Sequence, residues 1–276
     1  MPPPETAPGR LRFGCCGGMI SPADPLGADI AEPLAALGFD YLELSLRDLA
    51  ALPEAAVADL GARLQRAGLP CEACNNFFPP GIRLTGPAAD LPAALGYARG
   101  ALARAARLGV MVVVFGSAGA RNVPEGFSPE KARAQLRTLL VALGPVAEEH
   151  GLTIVIEPLH RGESNILNTV AEGWRMAQEV AHPRVRLLAD AYHMRQENQD
   201  PAILRQVGPI AHVHVAQRAE RVFPSGDDGT LAGFFAQLRA TGYAQRCSIE
   251  AYTRDFSADA ARGLRACREL AGAAAT

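Results

Sequence analysis

Residues 151–190 read GLTIVIEPLHRGESNILNTVAEGWRMAQEVAHPRVRLLAD. Two short apolar runs, Thr153–Glu157 and Arg186–Asp190, flank a helical pattern over 168–181, and Gly151 closes the helix before them. Apolar, β-branched runs of this length bounded by turn residues are the mark of strands buried on both faces. Outward from this segment the same unit repeats. The pattern places further strands at Arg12–Cys16, Phe39–Ser45, Pro70–Asn75, Val110–Gly116, Ala211–Ala216 and Cys247–Ala251. Helical patterns fill most of the intervals, and Gly38, Gly68, Gly109 and Gly242 stop helices before the next strand. Ser128-Pro129-Glu130 and Asp200-Pro201 are helix starts, a capping side chain followed by an N1 proline. Eight strand–helix units in series predict a parallel sheet closed on itself, a single (β/α)8 barrel. An open doubly wound sheet is the alternative, but Gly14-Cys-Cys-Gly-Gly18 lacks the GxGxxG spacing that would follow its first strand. The barrel is expected over residues 11–276, with the proline-rich residues 1–10 as a disordered tail.

The 276 residues are 49% apolar and 20% charged, with a net charge of −2, a composition that suits one large core. A near-neutral chain lacks the basic stripe that displaces counterions from nucleic acid, so no nucleic-acid partner is expected. Lys131 is the one lysine, which argues against Schiff-base chemistry. No basic stretch followed by an apolar run opens the sequence, and no run reaches the roughly 20 apolar residues of a membrane span. Six cysteines form no disulfide framework, and a reducing cytoplasm is the expected setting. Cys71 and Cys74 lie three apart on a strand and are expected to point to opposite faces, which argues against a redox or zinc pair.

In such a barrel the C-terminal strand ends meet at one mouth. There the last four strands deliver Glu157, Asp190, the pair His212 and His214, and Glu250. A single acidic strand end commonly supports a loop; four in phase on adjacent strands are a ligand set. Three carboxylates and an imidazole suit Mn²⁺, Mg²⁺ or Co²⁺, with Zn²⁺ less favoured without thiolates. His214 is nearer the rim and is the expected ligand, with His212 one layer deeper. Glu43, ending the second strand, reads as support for the rim, and Arg121 with Asn122 as a grip on an anionic or polyhydroxyl group.

Four segments carry a family resemblance: Ile154–Glu157 with Glu163 six residues on, Asp190-Ala-Tyr-His193, Ala211–His214 followed by Arg221, and Ile249-Glu250. Together they resemble the sugar isomerase/epimerase barrels, the xylose isomerase-like TIM-barrel superfamily, and within it the D-tagatose and D-psicose 3-epimerase type. The resemblance implies one divalent metal, Mn²⁺ first, held by Glu157, Asp190, His214 and Glu250. It implies that Glu157 and Glu250 double as the acid/base pair, and that Glu163, His193 and Arg221 bind substrate oxygens. The interval from His214 to Arg221 is one residue longer than in the epimerases, which makes Arg218 a rival for Arg221. Cys74–Pro80 and Gly116–Asn122 also depart from the ketohexose epimerases and leave the hexose open.

The expected function is therefore a metal-dependent sugar or keto-polyol isomerase or epimerase, working by proton transfer through an enediolate. A lyase on the same scaffold, an inosose-type dehydratase or a glycoside-cleaving relative, is the alternative. A three-zinc DNA-repair nuclease would need more histidines and a basic face. The expected partner is a small sugar or polyol ketone, and self-association of the barrel is left open. Gly226 lies where many barrels bind phosphate, but Asp227 and Asp228 beside it would repel one, so the substrate is read as unphosphorylated.

Overall fold

The computed structural model describes residues 10–272. Of the expected tail, residues 1–9 lie outside the described residues, as do 273–276 at the other end. In chain order the elements are β1 (Arg12–Cys16), α1 (Ala31–Leu37), β2 (Tyr41–Ser45), α2 (Leu46–Ala51), α3 (Glu54–Ala67), β3 (Cys71–Asn75), α4 (Leu91–Arg107) and β4 (Val112–Phe115). They continue with α5 (Ala118–Arg121), α6 (Pro129–Glu149), β5 (Thr153–Ile156), α7 (Val170–Val180), β6 (Val185–Asp190) and α8 (Ala191–Gln196). The last four are β7 (Ile210–Val215), α9 (Leu231–Ala240), β8 (Arg246–Ile249) and α10 (Phe256–Leu270). Pro201–Arg205, read as helix from its cap, is a 3-10 turn.

Each strand pairs in parallel with the next, and β1 pairs with β8 through Phe13↔Cys247 and Gly14↔Ser248, so the sheet closes. This is the expected (β/α)8 barrel. Alternation along the strands sorts the core into two layers. Leu42, Leu44, Val113, Phe115, Ile154 and Ile156 face the helices, while Tyr41, Val112, Val114, Val155 and Leu188 fill the barrel. The helix starts follow from capping chemistry. Ser128 accepts from the Lys131 N–H ahead of α6, and Thr169 with Glu172 forms a reciprocal capping box on α7.

Two local departures shape the function. The first is a bulge: Leu42 pairs with Cys71 but Glu43 with Ala73, so Glu72 is the extra residue. Glu72 turns to Arg12 and Arg246 at the first residues of β1 and β8. Cys71 and Cys74 then come to the same helix-facing layer, which overturns the expectation of opposite faces. The neighbouring Cys71 thiol and burial push the Cys74 thiol up, so it stays protonated. The second is a set of short helices, α2, α5 and α8, in segments that read as loops. α8 begins where Asp190 Oδ1 accepts the N–H groups of Tyr192 at 2.7 Å and His193 at 3.3 Å.

Candidate metal and substrate site

The ends of β5–β8 bring Glu157, Asp190, His214 and Glu250 together. The N–H groups of Glu157 and Glu250 extend the ladders, donating to the carbonyls of Phe115 at 3.2 Å and Val215 at 3.0 Å. That continuation fixes where both side chains start. All four residues are buried, and one potential ligand atom from each lies within 4.8 Å of the others. His214 Nδ1 sits 3.1 Å from Glu157 Oε1 and 3.2 Å from Glu250 Oε2. Asp190 spends Oδ1 on α8, while its Oδ2 is buried with no hydrogen-bond partner. Residue 116 is glycine, and a Cβ there would collide with Glu157 Oε2, so the carboxylate could not stay where it is.

Arg221 is the cation of the cluster. Its guanidinium donates to Glu250 Oε2 at 2.5 Å and Glu163 Oε1 at 3.0 Å, and lies 4.8 Å from the centre of the Tyr192 ring. Glu220 and Arg221 are both in the left-handed region, with φ of 57° and 51°. Arg218 is exposed, and its N–H donates to Asp228 Oδ2 at 2.8 Å. The structure thus brings Arg221, and not Arg218, to the carboxylates.

The two glutamates sit in unlike fields. Burial opposes the charge on Glu250, but Arg221 and His214 outweigh it and hold its carboxyl well below the usual range. Burial pushes Glu157 up; the bond to His214 offsets this in part, and the charge of Glu250 adds to it. Asn75, which sequence reasoning missed, donates to Glu250 Oε1 at 3.0 Å.

His193 is buried, and its Nδ1 accepts from the His160 backbone N–H at 3.3 Å. Its Nε2 has no hydrogen-bond partner and stands 3.5 Å from Asp190 Oδ2. With Nδ1 accepting, Nε2 carries a ring proton and is a donor without a hydrogen bond. Glu163 is half-exposed, with Oε1 3.2 Å from His160 Nε2. Glu157, Glu163, His193, Arg221 and Glu250 all border one cavity of about 300 Å³ at the mouth of the barrel.

Beneath the cluster lies Glu43, fully buried inside the barrel rather than supporting its rim. Its Oε1 is 3.1 Å from His214 Nε2, and its Oε2 is 2.9 Å from His212 Nε2. Ser248 Oγ donates to the same Oε2 at 2.6 Å and is itself 2.8 Å from the Tyr41 hydroxyl. Burial works against ionising Glu43, but His214 and His212 overcome it and hold the carboxyl well below its ordinary range.

Arg121 also differs from its sequence reading. It is fully buried, donates to the Phe115 carbonyl at 3.0 Å and reaches Ser164 Oγ and the Leu167 carbonyl at 3.5 Å. Burial lowers its pKa to about 10. It ties the loops after β4 and β5 together and grips nothing in the cavity. The Asn122 side chain likewise donates to the Glu163 carbonyl at 3.2 Å. Around the start of α9, Asp228 Oδ1 accepts from the Thr230 and Leu231 N–H groups and Asp227 Oδ1 from those of Gly229 and Ala232.

Comparison with known proteins gives consistent findings. The profile of a family described as xylose isomerase-like TIM barrel matches residues 31–270. An L-ribulose 3-epimerase from Mesorhizobium japonicum is 31% identical over 119 residues, 42% of this chain and 40% of that protein. A 3-dehydroshikimate dehydratase from Pseudomonas putida is 30% identical over 142 residues, 45% of this chain and 22% of the other. The matched stretches thus span less than half the length of these curated relatives. A crystal structure of D-psicose 3-epimerase in the presence of D-fructose superposes with a TM-score of 0.84 at 20% identity, covering 95% of this chain and 99% of that one. The 3-keto-D-glucoside 4-epimerase of E. coli gives 0.77 at 21% identity, covering 94% and 100%. At these identities the structural likeness speaks for the fold.

Proposed function

The chain belongs to the xylose isomerase-like TIM-barrel family, and on that premise we propose that it is a divalent-metal-dependent epimerase of an unphosphorylated ketose or keto-polyol. The observation that carries the reading is the buried cluster of Glu157, Asp190, His214 and Glu250 beside a sugar-sized cavity. The donor set fits a divalent ion. Asp190 and Glu250 share the Arg221 guanidinium, and Asp190 Oδ2, which has no hydrogen-bond partner, is a buried acceptor that a cation would satisfy. Hard oxygen and imidazole donors favour Mn²⁺, with Mg²⁺, Co²⁺ and Zn²⁺ as alternatives. Bound there, the ion would act as a Lewis acid on a carbonyl and its neighbouring hydroxyl.

The chain's own residues supply the rest. Glu157 and Glu250, two of the three carboxylates bordering the cavity, are the pair to take the proton from the carbon beside the carbonyl and return one to its other face. Arg221 and the free Nε2 donor of His193 are placed to bind substrate oxygens, and Glu163 to accept from a hydroxyl. An unphosphorylated substrate agrees with Asp227 and Asp228, which already engage the backbone donors around the start of α9. The named activities of the relatives support an epimerase. The dehydratase among them favours a second reading, in which the same carbanion expels a β-hydroxyl. Among the described residues no helix is long and apolar enough to cross a membrane, and all six cysteines are free thiols, as a reducing cytoplasm would keep them.

Proton NMR in D₂O, with protein, Mn²⁺ and a panel of ketoses, aldoses and inososes, tests this. Deuterium beside the carbonyl together with an epimeric product is expected. Loss of water would establish the dehydratase instead. No exchange, together with no metal uptake, would sink both readings.

A further inference from the structure

We propose that Glu43 is the positioning residue that fixes which nitrogen of His214 faces the metal cluster, and that the barrel interior below the mouth is built to hold it. The inference rests on reading Glu157, Asp190, His214 and Glu250 as a metal site. His214 is fully buried and has a carboxylate against each ring nitrogen: Glu43 Oε1 at 3.1 Å from Nε2, and Glu157 Oε1 at 3.1 Å from Nδ1. Nδ1 therefore faces the shared cluster, and Nε2 faces a carboxylate that takes no part in it.

Glu43 is itself held from three sides. Its Oε2 takes Ser248 Oγ–H at 2.6 Å and His212 Nε2–H at 2.9 Å, leaving Oε1 for His214. His212 is a donor here because its Nε2 faces a carboxylate oxygen, which can only accept. An acceptor gripped in this way cannot swing to let Nε2 become the ligand. A carboxylate that takes the far N–H of a metal-binding imidazole orients the ring and raises its basicity, and its loss typically costs about 10–100-fold in metal affinity. Cys16, Glu43 and His214 could themselves form a deeper trio for an ion, which would engage Nε2 instead. The two arrangements make opposite predictions for the same ring.

Two measurements decide between them without relying on turnover. Mn²⁺ binding to wild type and Glu43→Gln is followed by the electron paramagnetic resonance of the free ion, with circular dichroism as the check on folding. A folded Glu43→Gln should bind Mn²⁺ about 10–100-fold more weakly; affinity within about twofold of wild type would overturn the role of Glu43. Nitrogen-15 NMR of the wild-type imidazoles with Zn²⁺ as a diamagnetic probe should show His214 bound through Nδ1 with a protected Nε2–H. Coordination through Nε2 would overturn the proposal even if Glu43→Gln does not fold. A wild type that takes up neither ion would remove the metal site itself, and the inference with it. An unchanged affinity in the folded variant would remove only Glu43.

Discussion

The two ends of the barrel handle buried charge in opposite ways. At the N-terminal end a single carboxylate, Glu72, meets Arg12 through one oxygen and Arg246 through the other, the latter at 2.7 Å. At the C-terminal end Asp190, Glu250 and Glu163 crowd around Arg221, Glu157 meets His214, and Asp190 Oδ2 and His193 Nε2 are left without hydrogen bonds. Buried polar atoms are ordinarily satisfied, so unmet donors and acceptors mark a place kept for something else. One end spends its charges on closing the sheet, and the other holds them in reserve. In barrels of this kind the C-terminal face carries the chemistry and the N-terminal face the stability.

That contrast can be broken by substitution at either end. The largest effect is expected from Glu250→Gln, which should lower turnover by about 10²–10⁴-fold while circular dichroism shows an intact fold. Near-normal turnover in the D₂O exchange assay would sink the two-carboxylate scheme. Removing metal with EDTA should silence the wild type and Mn²⁺ should restore it. Because the ion binds the folded chain, its return at a hundredfold excess over Kd should also add about 2.7 kcal/mol of stability, read as a rise in Tm. A chelated enzyme with unchanged rate and Tm would mean that the mouth holds no ion.

Gly116→Ala sharpens the contrast without replacing a charged group. Its Cβ would displace Glu157, and a shift of about 1 Å in a reacting group costs about 10²-fold, seen in kcat with the fold retained. The smallest effect on activity belongs to the other end. Glu72→Gln should cost about 1–3 kcal/mol of stability by denaturant titration, yet leave kcat within about twofold of wild type. If Glu72→Gln cut kcat as deeply as Gly116→Ala, the division of labour between the two ends would fail.

The fold was legible because burial on both faces writes strands as apolar runs. β1 matches its expected bounds, Arg12–Cys16, and the strand ends bearing Asp190 and His214 were legible from the same runs. The ligand candidates were legible for the same reason, since strand parity and strand ends name a face and a rim. Depth was not. Glu43 has the parity of an inward residue, but the stagger of β2 against β1, Cys16↔Glu43, sets how far down it lies. The bulge that turns Cys71 and Cys74 to one side is a long-range pairing event with no local signal. Arg121 was misread because a loop arginine looks solvated, and the carbonyls that receive it come from β4 and the segment after β5. α8 was missed because six residues carry little helical pattern, and its start depends on a side chain that also reads as a strand end.

That side chain has a consequence for how variation at position 190 should be understood. Asp190 gives one oxygen to the backbone of Tyr192 and His193 and keeps the other for the cluster. Two tasks are therefore written in one codon, and most replacements would erase both together. Asparagine is the informative exception, because it caps a helix as well as aspartate does but brings no negative charge. A chain carrying asparagine there would keep the geometry of the mouth and lose its appetite for a cation, leaving a vessel of unchanged shape and changed contents.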